Sequence, residues 1–406
     1  MKIDFFADMV APSSLPFEIV ERKGNGHPDT LADHLAEKLS IAYSKQTKKE
    51  QGLILRHQFD KLLLMGGRCN VSYGKGNFIS PIRLVLNGRV TQSFGETKIN
   101  YRDLIYSECE LFLEQELQNF KFSKDCKVIF ETTSNSTRGL IDNSGTSSIN
   151  YRFSPRSTNY LPEFKRPIAN DTALGFGFAP FTALENLVLE IEQTLTSHQF
   201  QNKYPWIGTD IKIMGYRINE RVEITLAIPQ ISTEVKSLIE YQENINLLKE
   251  LIFNISSSYK QFEISIFVNP SDNPSEEVVY LRYTGSCIES GDEGAVARRN
   301  RIGGVISACR PYSIEGINGK NPSYHAGKIY SAAAWEIASK IWIELEVACE
   351  VFILSQIDRP LDDPWQIFIK TNDKVDNTKA SRIAEEILSN LSSVTNRFLD
   401  GFYTLT

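Results

Sequence analysis

Six consecutive residues, Gly24-Asn25-Gly26-His27-Pro28-Asp29, combine the side chains of this sequence best suited to chemistry. The glycines permit a tight turn, the proline suits a first helical position, and the amides behind it have no partner inside a helix. Such a helix start attracts anions, because the unpaired N–H groups and the positive end of the helix dipole point the same way. His27, with Arg22 and Lys23 just before it, adds donors for a phosphate oxygen, and Asp29 is an oxygen ligand for a divalent cation that bridges phosphates. A well-capped helix with nothing bound explains the same residues equally well, since aspartate in a first turn is favoured by the dipole alone. A dinucleotide fingerprint does not: Asp29 stands where its third glycine would let helix and strand pack closely. Asp29, Asp33 and Glu37 are four apart and share a helical face, where mutual repulsion favours solvation of Asp33 and Glu37.

Two further segments mix glycine with charge. Gly291-Asp292-Glu293-Gly294 is an acidic turn followed by Arg298-Arg299-Asn300-Arg301, which sets a cation-seeking loop beside anion-seeking side chains; a solvated basic helix start is the plain alternative. Gly319-Lys320-Asn321-Pro322, with His325 and Gly327-Lys328 after it, lacks the spacing of a phosphate-binding P-loop. Its amides and Lys320 still suit phosphate, against the alternative of an exposed turn. Asn170-Asp171-Thr172, then Gly175 to Pro180 with Phe176 and Phe178, offers a carboxylate beside aromatic rings that fit either a flat base-sized slot or, more commonly, a core. His57, Asp60 and Lys61 alternate with apolar residues along an expected strand, where a buried charge needs a partner. No nucleophile elbow, paired-histidine zinc helix or kinase signature set occurs, so hydrolase and kinase readings lose their main support.

Apolar periodicity supplies the elements that must position these groups. A strand at Phe17–Glu21 precedes a helix from about Pro28 to Lys45; apolar stretches at Leu53–Leu55 and Lys61–Met65 lead to Arg83–Leu86 and an Asn87-Gly88 hairpin signal; a helix spans about Tyr101–Leu117. The second round has a strand at Lys127–Glu131, a helix at Thr182–Ser197, a pair at Asp210–Tyr216 and Arg221–Ala227 turning at Asn219-Glu220, and a helix at about Thr233–Ile252. The third has strands at Phe262–Val268, Val278–Tyr283 and Cys349–Ser355, and helices at about Gly327–Leu345 and Ser381–Phe402. Strands followed by helices, three times over, predict an α+β fold of mixed or antiparallel sheets with helices on one face, in interleaved subdomains of about residues 1–125, 126–258 and 259–406.

Composition bounds the function. With 406 residues, 41% hydrophobic and 23% charged, the chain can bury several cores without staples. A net charge of −6 argues against a general nucleic-acid or anionic-membrane binder, so any phosphate site is local. The start MKIDFFADMV is too short and acidic for a signal peptide, and no stretch approaches the roughly 20 apolar residues of a membrane helix, so a cytoplasmic protein is expected. The six cysteines are far apart, which fits buried thiols rather than metal ligands.

Glu21 to Asp29, read as ERKGNGHPD, resembles the N-terminal signature of the archaeal-type S-adenosylmethionine synthetase family, and the other blocks, Arg310-Pro311 included, follow in family order over about residues 15–360. The resemblance implies three similar subdomains about a pseudo-threefold axis and a homodimer with active sites between facing subunits. It implies that the sulfur of L-methionine attacks C5′ of ATP, expelling triphosphate that the site then hydrolyses to diphosphate and phosphate. His27 would contact the triphosphate near the breaking bond, Asp29 would hold Mg²⁺, and K⁺ would serve as monovalent ion. Arg298, Lys320 and Lys61 would bind the phosphate chain, Asp292 would face the methionine ammonium, and Asp171, Asn321, His325 and Lys328 would belong to the nucleotide and substrate site. Departures from the family pattern are Ser134-Asn135-Ser136-Thr137 for Gly-Gln-Gly-Ser, Asn25 for an aliphatic residue, and His34, Leu62 and Arg299 for glycines. The first motivates a rival, a paralogue that uses ATP with another nucleophile or a methionine analogue. A second rival is a non-catalytic regulatory partner of an active synthetase.

Overall fold

The computed structural model describes residues 1–134, 152–161, 164–298, 300–313 and 315–403. Three principal sheets organise them, each with helices packed on one face, as an α+β chain should. The first sheet has the order Cys126–Thr133, Ile82–Val90, Leu63–Met65, Gly294–Ala295, with His57–Gln58 also paired to Ile82–Val90. Helices α1 (Pro28–Gln51) and α2 (Tyr101–Glu116) cover it through Leu31, Leu35, Leu39, Ile105 and Phe112.

The second sheet runs Glu263–Val268, Arg221–Ala227, Lys212–Ile218, Phe17–Lys23, Ile306–Ser307. Its strands alternate strictly: Val20, Ile213, Val222, Ile224 and Leu226 are fully buried under α3 (Ala183–Thr196) and α4 (Leu238–Ser256). Each such buried aliphatic side chain contributes roughly 1.5–3 kcal/mol. The third sheet joins Ile3–Phe6, Gln366–Thr371, Cys349–Leu354 and Leu174–Ala179, under α5 (Ala326–Leu345), α6 (Asn377–Ser389) and α7 (Leu391–Leu399).

Local chemistry explains most element ends. Thr182 and Glu185 form a reciprocal capping box at the start of α3. The two-residue turn at Asn219-Glu220 joins paired strands, with Asn219 at φ 52°. The other hairpin signal fails: Ile82–Val90 runs straight through Asn87-Gly88, which pair in parallel with Glu131 and Thr132. Gly88, at φ 145°, is required because a Cβ there would overlap the Gln58 carbonyl oxygen. Other boundaries differ as well. Ser237 caps α4 and delays it, the expected strand at Val278–Tyr283 shrinks to Leu281–Arg282, and the last helix is two, broken at Asn390. Cys109 and Cys349 are buried; the other four cysteines are half-buried, and all six are free. No described helix is long and apolar enough to cross a membrane.

Candidate active site

The strand Phe17–Lys23 delivers the glycine loop to the start of α1. Gly24 N–H donates to the Ile211 carbonyl at 2.6 Å and Gly26 N–H to the Thr209 carbonyl at 3.0 Å. A Cβ on Gly26 would overlap Thr209, so the loop closes only with glycine there. His27 is the N-cap of α1: its Nδ1 accepts the Asp29 N–H at 3.1 Å, which leaves the ring proton on Nε2. Burial first, then the Lys23 charge, lowers the imidazole to about 4, against opposing pulls from Asp29 and Asp292. At neutral pH His27 is therefore an uncharged donor.

Asp29 is buried. Its Oδ1 accepts the Ala295 N–H at 3.1 Å and its Oδ2 receives Lys23 Nζ at 2.8 Å. Lys23 Nζ also donates to the Arg298 carbonyl at 2.6 Å, while the Arg298 side chain is exposed. One turn along α1, Asp33 accepts the Ala297 N–H at 3.0 and 3.2 Å. Another turn on, Glu37 accepts the Gly319 N–H at 3.0 Å and grips Lys328 Nζ at 2.5 and 2.6 Å. The expected solvation of Asp33 and Glu37 is thus overturned. Both are buried, and the acidic stripe of α1 is the rail to which the 294–297 and 319–328 segments are tied. Each carboxylate finds partners that offset its desolvation.

Asp292 is exposed at the turn beside this loop, its Oδ1 accepting the Glu293 amide at 3.0 Å. Gly294 crosses the Pro28 backbone so closely that a side chain would overlap it.

A second charged group forms around Asp60, which lies in a turn rather than on the expected strand. Lys61, 65% exposed, pairs with Asp60 at 2.7 Å, and the buried Lys320 approaches the same carboxylate at 4.0 Å while pairing with Glu315. His325 lies within reach of Lys320, Lys328 and Lys61, whose charges, after burial itself, hold its imidazole well below the usual histidine range. Its buried Nδ1 has no hydrogen-bond partner among the described residues. Gly316 packs against Ala297, so Glu315 and Lys320 sit next to the arginine-bearing segment that Asp33 anchors.

The remaining expected residues divide. Asn170 Oδ1 accepts the Ala326 N–H at 2.9 Å and leaves Asp171 exposed next to the start of α5. Asn321 is fully buried; it donates to Leu55 O at 3.0 Å, lies 3.2 Å from His57 Nδ1, and accepts from Ser323. Lys328 is also fully buried, held by Glu37, by the Lys320 carbonyl at 2.9 Å and over the Phe398 ring at 4.5 Å. Arg22 faces the second core instead of the loop, bound to Glu192 at 2.5 Å and to the Gly304 carbonyl. Strand alternation sends it opposite to Lys23. Phe176 and Phe178 line a cleft with Ala297, Asn300, Arg310 and Glu315; Phe178 is also core, packed on Phe181, Trp335 and the Arg310 guanidinium. Asn135 to Thr137 and Arg299 lie outside the described residues.

Sequence reasoning missed the partners. Glu315 and Lys212 carried no signal as a motif, yet Lys212 pairs with Glu21 at 3.4 Å and its charge bears on His27. Asn300 holds Lys23 by its backbone at 2.9 and 2.8 Å. Among the described residues no group of three histidine, cysteine or carboxylate side chains is placed to hold a metal ion. The arrangement is one carboxylate with a capped helix start, flanked by lysines and an arginine, which suits a polyanion with its counter-cation.

The profile of the S-adenosylmethionine synthetase family matches residues 7–402. The chain is 36% identical over 401 residues to a probable S-adenosylmethionine synthase of Aquifex aeolicus, covering 96% of this chain and 95% of that one. It is 36% identical over 397 residues to the S-adenosylmethionine synthase of Archaeoglobus fulgidus (95% and 94% covered), and 35% identical over 405 residues to that of Methanococcus aeolicus (95% of each).

Proposed function

The chain belongs to the S-adenosylmethionine synthetase family, and from that premise we propose that it joins ATP to L-methionine by attack of the thioether sulfur on C5′, releases the whole triphosphate, and hydrolyses it to diphosphate and phosphate. The observation that carries this reading is the convergence of the His27 cap, Asp29 and the Arg298 segment on the first turn of α1, with Lys320 following Gly319, which Glu37 binds two turns along the same helix.

A thioether sulfur carries no proton, so the attacking side needs no general base. The barrier is lowered by alignment and by stabilising charge that develops on the leaving triphosphate. His27 suits that task because its neutral Nε2–H can donate a hydrogen bond to the charge that develops on the leaving group. Lys61, Lys320 and Arg298 supply the flanking positive charge, and the exposed Asp292 carboxylate suits the methionine ammonium. Asp29 fits Mg²⁺: its Oδ2 already faces an ammonium, and one carboxylate plus phosphate oxygens is a usual ligand set for that ion. When bound, Mg²⁺ would neutralise triphosphate charge there.

The same reading includes a homodimer. Phe17, Ile19, Met214, Tyr216 and Ile218 lie on neighbouring strands, in register Phe17↔Ile218 and Ile19↔Tyr216, on the face turned away from the helices, each 37–53% exposed. Five adjacent apolar side chains favour a second copy of the chain as cover. Tyr216→Asp with Ile218→Asp is expected to convert a dimer to a monomer in sedimentation equilibrium and to cost activity. A wild-type monomer that turns over normally would remove the dimer from the reading.

The direct test is a mass-resolved assay of purified protein with ATP, Mg²⁺, K⁺ and L-methionine. S-adenosylmethionine, diphosphate and phosphate are expected in equal amounts. ATP consumption without S-adenosylmethionine would point to another nucleophile, and no turnover at all to a regulatory partner.

A further inference from the structure

Lys23 touches two segments that the proposed reaction uses. Its Nζ lies 2.8 Å from Asp29 Oδ2 and 2.6 Å from the Arg298 carbonyl oxygen. Asp29 Oδ1 is engaged by the Ala295 amide, so Oδ2 is the oxygen open to a cation, and that is the oxygen Lys23 holds. The lysine backbone cannot drift. The buried Asn300 side chain accepts its N–H and donates to its carbonyl, as a neighbouring strand would. Only the ammonium end is free to change partners, and it has a second acceptor already in place at Arg298.

We propose that Lys23 is a positioning residue that competes with a divalent cation for Asp29 Oδ2 and, through its bond to the Arg298 carbonyl, orients the Arg298 side chain. This rests on the reading that Asp29 holds the cation. Two positive charges on one carboxylate oxygen repel, so a cation entering at Asp29 displaces the ammonium, which stays bound at Arg298 and leaves its charge beside the phosphate-binding side chains. Lys23 thus tunes how tightly the cation is held: too firm a grip by Asp29 alone would also hold the cation-bound product.

The test is titration of Mn²⁺ alone into the full chain, with free Mn²⁺ followed by electron paramagnetic resonance, for wild type, Lys23→Met and Asp29→Asn. Removing a partly screened neighbouring charge should tighten Mn²⁺ binding in Lys23→Met by roughly 3- to 10-fold. Asp29→Asn should lose that binding. A merely structural lysine would give weaker or unchanged binding on removal, and that result overturns the proposal while leaving the role of Asp29 intact. Equal Mn²⁺ binding by wild type and Asp29→Asn would overturn both. Should Lys23→Met fail to fold, Lys23→Gln keeps a polar donor without the charge and is expected to show the same tightening. In steady state the KM for ATP should rise in Lys23→Met, because Arg298 loses its tether, while the Mg²⁺ concentration for half-maximal rate falls. A parallel rise of both would sink the idea of competition.

Discussion

His27→Ala is expected to lower the rate of adenosyl transfer by about 10²- to 10³-fold, the usual cost of removing one donor aimed at developing charge, while ATP binding changes by less than about threefold. The asymmetry follows from what the residue does in the folded chain. His27 meets a neighbouring N–H through Nδ1 and turns Nε2–H outward, so its loss removes one donor from a site that keeps Lys61, Lys320 and Arg298 for ground-state attraction. Its pKa of about 4 adds a pH test. The wild-type rate should show no histidine limb between pH 6 and 9, because His27 is neutral throughout that range, and should fall only as acid protonates the ring. Single-turnover rates beside equilibrium binding of ATP would decide it. An unchanged transfer rate in His27→Ala removes the residue from the mechanism, and an equal loss of binding would make it a phosphate anchor rather than a transition-state donor.

The parts of this site that were legible from the sequence are those with local causes. A glycine turn ahead of proline announces a helix start, and the structure forms it; helices capped by Thr182 or broken by surface residues follow from nearest neighbours. What stayed hidden depends on partners far along the chain. The spacing of Asp29, Asp33 and Glu37 shows that they share a face of α1, but not that Ala297, 264 residues beyond Asp33, and Lys328, 291 residues beyond Glu37, would cover it. Arg22 and Lys23 are neighbours with the same charge, and only pairing of their strand on both sides decides that one enters the core and the other the site. The strand Leu174–Ala179 was invisible as a strand because glycine lowers strand propensity. Gly175 and Gly177 are there so that the backbone of α5 can pass close at Tyr330 and Ala334, a need that exists only in the folded chain.

Lys328→Met separates those two kinds of information, because family resemblance puts Lys328 in the substrate site while its surroundings make it a structural cation. Its ammonium is fully buried between both Glu37 oxygens and the Lys320 carbonyl, so methionine in its place leaves a buried carboxylate with only the Gly319 amide as partner. Breaking a buried pair from one side typically costs about 3–5 kcal/mol, whereas replacing both members by neutral groups of similar size is far milder. Chemical denaturation should therefore show a large loss for Lys328→Met and substantial recovery in Lys328→Met with Glu37→Gln. The activity that survives in the double variant should be limited by the 319–325 segment, since Glu37 also fixes the Gly319 amide that sets the start of Lys320. A single variant as stable as wild type, with ATP binding weakened, would return Lys328 to the substrate surface. Stability lost without recovery in the double variant would mean that the pair is held for its exact geometry, and that the acidic rail of α1 positions the lysine-rich loop through charge rather than through packing alone.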